Sequence, residues 1–152
     1  MLPALLSFLL VFAQRSEPPI LPQGWTTPFI RDDSRVEHIS GASLTIMRRR
    51  SPDPFDTFTR RAVEGIARPL GFARIGEPRH FRDSNQRWVE YQVRGNRLVN
   101  RRRILYRAVR TDVEFVEIIY ENSEDRFEVL LSEALSIAST LESFHRKERM
   151  RK

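Results

Sequence analysis

The sequence predicts an α+β domain, an antiparallel meander of strands with two main amphipathic helices packed on it. Three observations carry that prediction. Residues 127–144 hold a wide apolar stripe at helical spacing, residues 54–70 hold a second one, and the stretch between them alternates in the manner of strands. With 152 residues the chain falls within the usual span of one domain, roughly 100 to 200 residues, and can bury a core without disulfide or metal staples.

Taken in order, residues 15–23 read Arg-Ser-Glu-Pro-Pro-Ile-Leu-Pro-Gln, a proline-rich lead-in that suits neither a helix nor a central strand. Trp25 follows Gly24 and is expected to lie as a lid over one end of the core. Residues 42–47 alternate, with Leu44 and Ile46 on one face, and lead through Arg48, Arg49 and Arg50 into the breaker Ser51-Pro52-Asp53-Pro54. Asp53 as N-cap and Pro54 at the first helical position are favoured entry chemistry for the helix carrying Phe55, Phe58, Ala62, Val63, Ile66, Ala67 and Leu70. Strands are expected over residues 72–77, 87–94, 98–110 and 113–121, with hairpin turns at Gly95-Asn96 and Thr111-Asp112. Val89, Tyr91 and Val93 form one face against Trp88, Glu90 and Gln92, so the sheet should be covered by helices mainly on one side, or thinly on both. Phe127, Leu130, Leu131, Ala134, Leu135, Ile137, Ala138, Leu141 and Phe144 then define the last helix, capped by Asn122 or Ser123 with Glu124 and Asp125 in its first turn.

Domain boundaries follow from this order: residues 1–13 are a signal peptide, 14–23 the lead-in, 24–144 a single α+β domain and 145–152 a frayed basic tail. The first thirteen residues hold no charged side chain, and their apolar run is shorter than the about 20 residues a bilayer span needs. Val11-Phe12-Ala13 offers a cleavage site that would leave Gln14 first, so the protein is expected to be exported, periplasmic or secreted, with no transmembrane span in the mature chain. The absence of cysteine excludes disulfides, a thiolate nucleophile, a Cys-ligated zinc and a lipid-modified cysteine. A net charge of +6 favours acidic partners without naming one.

The Leu21-Pro22-Gln23-Gly24-Trp25 entry, then a strand, a long helix, a strand meander and a C-terminal amphipathic helix over residues 127–144 together resemble the PsbP-like superfamily. That group includes the extrinsic photosystem subunit, small Ran-binding nuclear-transport factors and DcrB-type proteins of bacterial envelopes. The resemblance implies an α/β/α sandwich around an antiparallel sheet and a non-enzymatic, partner-binding role. It supplies no catalytic residue to carry over.

The residues themselves point the same way. His38, His80 and His145 are too far apart in sequence to form a motif ligand set, so no metal or cofactor is expected. His80, between Glu77 and Asp83 in an expected loop, is the default candidate for a general base, although a solvated turn explains it as well. Ile39-Ser40-Gly41-Ala42-Ser43 lacks the second glycine of a nucleophile elbow, and the six glycines are not clustered as in a phosphate-binding loop. The carboxylate sets Asp32-Asp33 and Glu121 with Glu124-Asp125 suit a polar loop and a helix start.

Arginine outnumbers lysine 24 to 2, and Arg48, Arg49, Arg50, Arg101, Arg102 and Arg103 are the candidate anion- or partner-binding residues. Three consecutive arginines in a strand alternate faces, so Arg101 and Arg103 share a side with Leu105, and Arg102 joins Ile104 and Tyr106. An edge strand guarded by charge is the plainer account. The expected function is a non-catalytic exported protein-binding or assembly domain of the cell envelope, with an envelope protein as partner. The alternative is a binder of anionic lipid or polymer through the arginine-rich face; nucleic acid ranks third, because aromatics are not interleaved with the arginines.

Overall fold

The computed structural model describes residues 17–26, 34–112 and 114–150. Ten elements follow one another: β1 (Trp25–Thr26), β2 (Ser34–His38), β3 (Ser43–Arg49), α1 (Phe55–Ala67), β4 (Gly71–Ile75), β5 (Arg79–Arg82), β6 (Arg87–Arg97), β7 (Asn100–Arg110), β8 (Phe115–Ser123) and α2 (Phe127–Met150). The strands form one antiparallel sheet in the order β1-β2-β3-β8-β7-β6-β4. β5 pairs with β6 further along, so β4 and β5 together make one interrupted edge.

Strand alternation sends every second side chain to opposite faces, and both faces carry a core. On one, α2 buries Phe127, Ala134, Ile137, Ala138 and Leu141 against Leu44, Ile46, Leu105, Val116, Ile118 and Tyr120. On the other, α1 buries Phe55, Val63 and Ala67 against Val89, Tyr91, Val93, Ile104, Tyr106 and Phe115. The helices are offset, since α1 contacts β4, β6 and β7 whereas α2 contacts β3 and β8. Each face of the sheet is therefore half covered, and the uncovered halves lie diagonally across from one another.

Trp25 is buried, as its place beside Gly24 predicts, and its indole Nε1 donates to Glu133 on α2. Gly24 is required there: its φ is +89°, and a Cβ would fall 2.5 Å from His38 Nε2.

Several expectations are corrected. Between β6 and β7 the turn is Leu98-Val99, closed by the Arg97–Asn100 pair, while Gly95 and Asn96 lie within the ladder. Gly95 serves close approach instead, because a Cβ there would sit 2.8 Å from Leu70 Cβ. The segment around His80 is strand β5 and not a loop. Pro54 itself occupies the N-cap position of α1 without a side-chain cap, and Asp53 instead pairs with Arg61 at 2.9 Å. Asn122 and Ser123 lie within β8, and Asn122 is buried; its Nδ2 donates to Tyr120 Oη and to the Arg126 carbonyl, while α2 begins at Phe127 and has Glu128 in its first turn. At its far end α2 runs through His145 to Met150 rather than fraying after Phe144. The expected carboxylate pair Asp32-Asp33 lies outside the described residues.

Candidate partner-binding face

On the side of the sheet that α2 half covers, β6 presents Trp88, Glu90, Gln92 and Arg94, the residues that alternate with the α1-facing Val89, Tyr91 and Val93. Register does the rest. Phe81 stands opposite Trp88, Arg79 opposite Glu90, and on the other flank Trp88 meets Val109 while Glu90 meets Arg107. The Phe81 and Trp88 rings stack at 5.3 Å between centroids, 10° from parallel, and both are half-buried. Arg79 reaches over Phe81 at 5.9 Å from the ring centre.

A carboxylate organises the arginines beside this pair. Glu90 is buried, and such a charge is tolerable only when paired. Arg79 lies 2.9 Å from one of its oxygens and Arg107 2.6 Å from the other. Gln92 Oε1 accepts from Arg103 Nε at 3.1 Å and Arg103 NH2 at 2.7 Å, and Arg103 also stacks 4.3 Å over Phe127 and pairs with Glu128. Arg79 and Arg107 are thereby held beside the Phe81–Trp88 pair, while Arg103 is held further along the same face, against Phe127. Trp and Arg in such a setting are the residue types that anchor protein interfaces.

The six arginines named from sequence do not converge. Arg49 pairs across the ladder with Phe115 and Arg102 with Ser123, placing the two groups at opposite ends of β8, about 27 Å apart at roughly 3.4 Å per residue. Most are also engaged by acids: Arg48 with Glu114 at 3.1 Å, Arg49 with Glu117 at 2.9 Å, Arg102 with Glu121 at 3.0 Å and Arg103 with Glu128 at 2.8 Å. Arg50 and Arg101 are exposed. Arg102 faces the α1 side, where Tyr106 lies, and Arg103 the α2 side with Leu105, the alternation read from the sequence.

Two of those ion pairs set an acid limit on stability. Burial pushes the Glu121 carboxyl up, but hydrogen bonds from Arg97 and Arg102 outweigh it and hold the pKa below its ordinary 4.5. Burial acts the same way on Glu114, and Arg149 and Arg48 again bring it below 4.5. A carboxyl that binds its proton less tightly when folded stabilises the fold above its unfolded pKa and ceases to do so as pH falls through its folded value. The melting temperature is expected to drop as pH is lowered from about 5 towards 3. In Glu121→Gln that drop should be smaller, which a thermal melt series at fixed ionic strength reads directly.

Other sequence candidates stand apart. His80 is exposed on β5, on the α1 side opposite Val89. His38 Nδ1 is 2.7 Å from Ser40 Oγ, and His145 is buried with Nε2 3.0 Å from Ser34 Oγ. Among the described residues no group of three or more His, Asp or Glu side chains is placed to hold a metal ion. A cleft of about 440 Å³ between the end of α2 and the β7–β8 loop is lined by Arg48, Glu114, Glu142 and Arg146. Burial raises the Glu142 carboxyl there, against the nearby arginines. No helix among the described residues is long and apolar enough to cross a membrane.

No family model and no curated protein sequence matches the chain. Solved structures do. The cyanobacterial PsbP (CyanoP) of Synechocystis sp. PCC 6803 superposes with a TM-score of 0.57 at 15% identity, covering 78% of this chain and 81% of its own. The fold is PsbP-like. LpqN of Mycobacterium tuberculosis, described as involved in cell envelope biogenesis, shares it with a TM-score of 0.55 at 10% identity, covering 76% of this chain and 75% of that one. PA94, a protein of unknown function from Pseudomonas aeruginosa, does so with 0.53 at 14% identity over 64% and 69%.

Within this PsbP-like frame, sequence reasoning assigned Trp88 and Glu90 to the wetter side of their strand but did not single them out. What it missed was β5, because Arg79-His80-Phe81-Arg82 carries one apolar residue in four and sits between Pro78 and Asp83. Without β5 there is no ring for Trp88 to stack on. The available signal was Phe81 itself, an aromatic two residues from Arg79 and matched by Trp88 and Glu90 at the same spacing across a short polar turn.

Proposed function

We propose that the chain is a non-catalytic, exported accessory domain of the cell envelope that binds another protein through the uncovered half of its sheet on the α2 side. The observation that carries this reading is the stacked Phe81–Trp88 pair, half-buried with part of both rings in solvent and framed by Arg79 and Arg107, which Glu90 holds in place. A partner that fits would offer an apolar projection to the rings and acidic or carbonyl groups to the guanidinium rim. Export is supported by the apolar leader over residues 1–13. An envelope setting is supported by the fold shared with LpqN.

Affinity capture with the whole chain from native envelope extract, at low and at about 1 M salt, tests the reading. An interface centred on two aromatic rings retains its protein at high salt, where a Debye length of about 3 Å extinguishes surface attraction. Recovery of acidic lipid or polymer alone, released by salt, would favour the anionic-surface reading instead.

A further inference from the structure

One end of the sheet is apolar at its tips. The β6–β7 turn exposes Leu98 and Val99 to 96% and 92%, and Ile39, in the β2–β3 turn, is 85% exposed. The ladder places both turns at the same end: Arg97 pairs with Asn100, Arg102 with Ser123, Glu121 with Ser43 and Glu37 with Ser43. Ser40 and Val99 line one shared cleft with Arg101, Arg102 and Arg126 and the acids Glu124 and Asp125.

Leu98 adopts φ +55°, a left-handed conformation that glycine or asparagine would take at lower cost. A strained backbone that projects a leucine into solvent is a poor choice for a turn and a reasonable one for a group meant to enter something apolar. Directly behind the tip, Arg97 and Arg101 flank it on the two strands. Arg101 is exposed, and Arg97 keeps 47% of its side chain exposed while pairing with Glu121. Arginine stems at that depth let the apolar tip sink while the guanidinium groups stay among head groups.

The chain path agrees. The Ile39 amide donates to the Gly24 carbonyl, so the described lead-in joins the fold at this end. The Phe81–Trp88 pair lies at the other end of β6, with Trp88 ten residues from Leu98, about 33 Å at roughly 3.3 Å per residue.

We infer that the Leu98-Val99 hairpin tip, with Ile39 beside it and Arg97 and Arg101 behind it, docks into the surface of an anionic lipid bilayer and orients the domain with its partner-binding face clear of the membrane. This goes beyond the protein-binding reading, and either can fail without the other.

The chain contains no cysteine, so single thiols can be placed at will. Whole-chain Val99→Cys and Ser84→Cys, each carrying an environment-sensitive fluorophore, are mixed with vesicles of phosphatidylcholine alone or with 30% phosphatidylglycerol added. Ser84 lies at the opposite end, in the β5–β6 loop. Expected is a blue shift with severalfold brighter emission for the label at residue 99 on the anionic vesicles, quenchable from within the acyl region, and none at residue 84. Arg101→Gln, in the Val99→Cys background, should weaken this partition about fivefold. Anchoring through residues 1–13 alone would put neither label in lipid. A label at residue 99 that stays in water on anionic vesicles, or that becomes shielded only by a captured protein, overturns the inference.

Discussion

Removing residues 145–152 is expected to lower the stability of the domain by about 2–4 kcal/mol, well beyond what loss of a frayed tail would cost. His145 is 4% exposed and its Nε2 lies 3.0 Å from Ser34 Oγ, across 111 residues of sequence, so the last turns of α2 fasten strand β2 to the core. Deleting it leaves the buried Ser34 hydroxyl without that partner and opens the space the imidazole fills. Arg149 goes as well, and with it a 2.6 Å ion pair to Glu114, the carboxylate that also engages the largely buried Arg48. Equilibrium denaturation of the whole chain and of a chain ending at Phe144 measures the difference. His145→Ala should reproduce a large part of it, whereas Lys147→Ala, at an exposed position, should change stability by less than about 0.5 kcal/mol.

The second large effect concerns binding. Trp88→Ala is expected to weaken the interaction with the captured protein by about 30-fold or more, the equivalent of about 2 kcal/mol at an interface anchor. Trp88 supplies a large apolar surface already held by its stack on Phe81, so little side-chain freedom remains to be lost on binding. The same change should cost the fold less than loss of a core aromatic, because Trp88 is half-buried and lies outside both buried clusters. Binding and stability can therefore be read separately, from a titration with the purified partner and from a thermal melt.

How far the sequence foretells this molecule depends on whether apolar periodicity or tertiary pairing decides each element. Phe127, Ala134, Ile137, Ala138 and Leu141 recur at helical spacing, and Val89, Tyr91 and Val93 alternate cleanly; both sets lie where the periodicity puts them. β2 is different. In Ser34-Arg35-Val36-Glu37-His38 only Val36 is strongly apolar, and the alternation is completed by Ser34, which is buried because His145 arrives from the far end of the chain. The β6–β7 turn is hidden from the sequence for a related reason. Gly95-Asn96 is a better turn dipeptide than Leu98-Val99, but Gly95 is occupied in letting Leu70 approach, so the strands extend beyond it.

For the candidate site, charge was legible and its consequence was not. Runs such as Arg48 to Arg50 and Arg101 to Arg103 stand out in sequence, yet the ladder brings Glu114, Glu117 and Glu121 of one strand region against them. Arg79 and Arg107, which frame the aromatic pair, are isolated in sequence and are joined only through Glu90.

Two uncovered half-sheets compete for a protein partner, and the one proposed to bind it lies on the α2 side. Met47, half buried on β3, lies in that other uncovered half. The most direct measurement is the dissociation constant of the captured protein, at about 1 M salt, for Phe81→Ala/Trp88→Ala beside Met47→Ala. The double variant is expected to lose binding by more than about 30-fold while Met47→Ala matches the unaltered chain. Unchanged binding by the double variant, with loss in Met47→Ala, would place the interface on the opposite face and contradict the α2-side proposal.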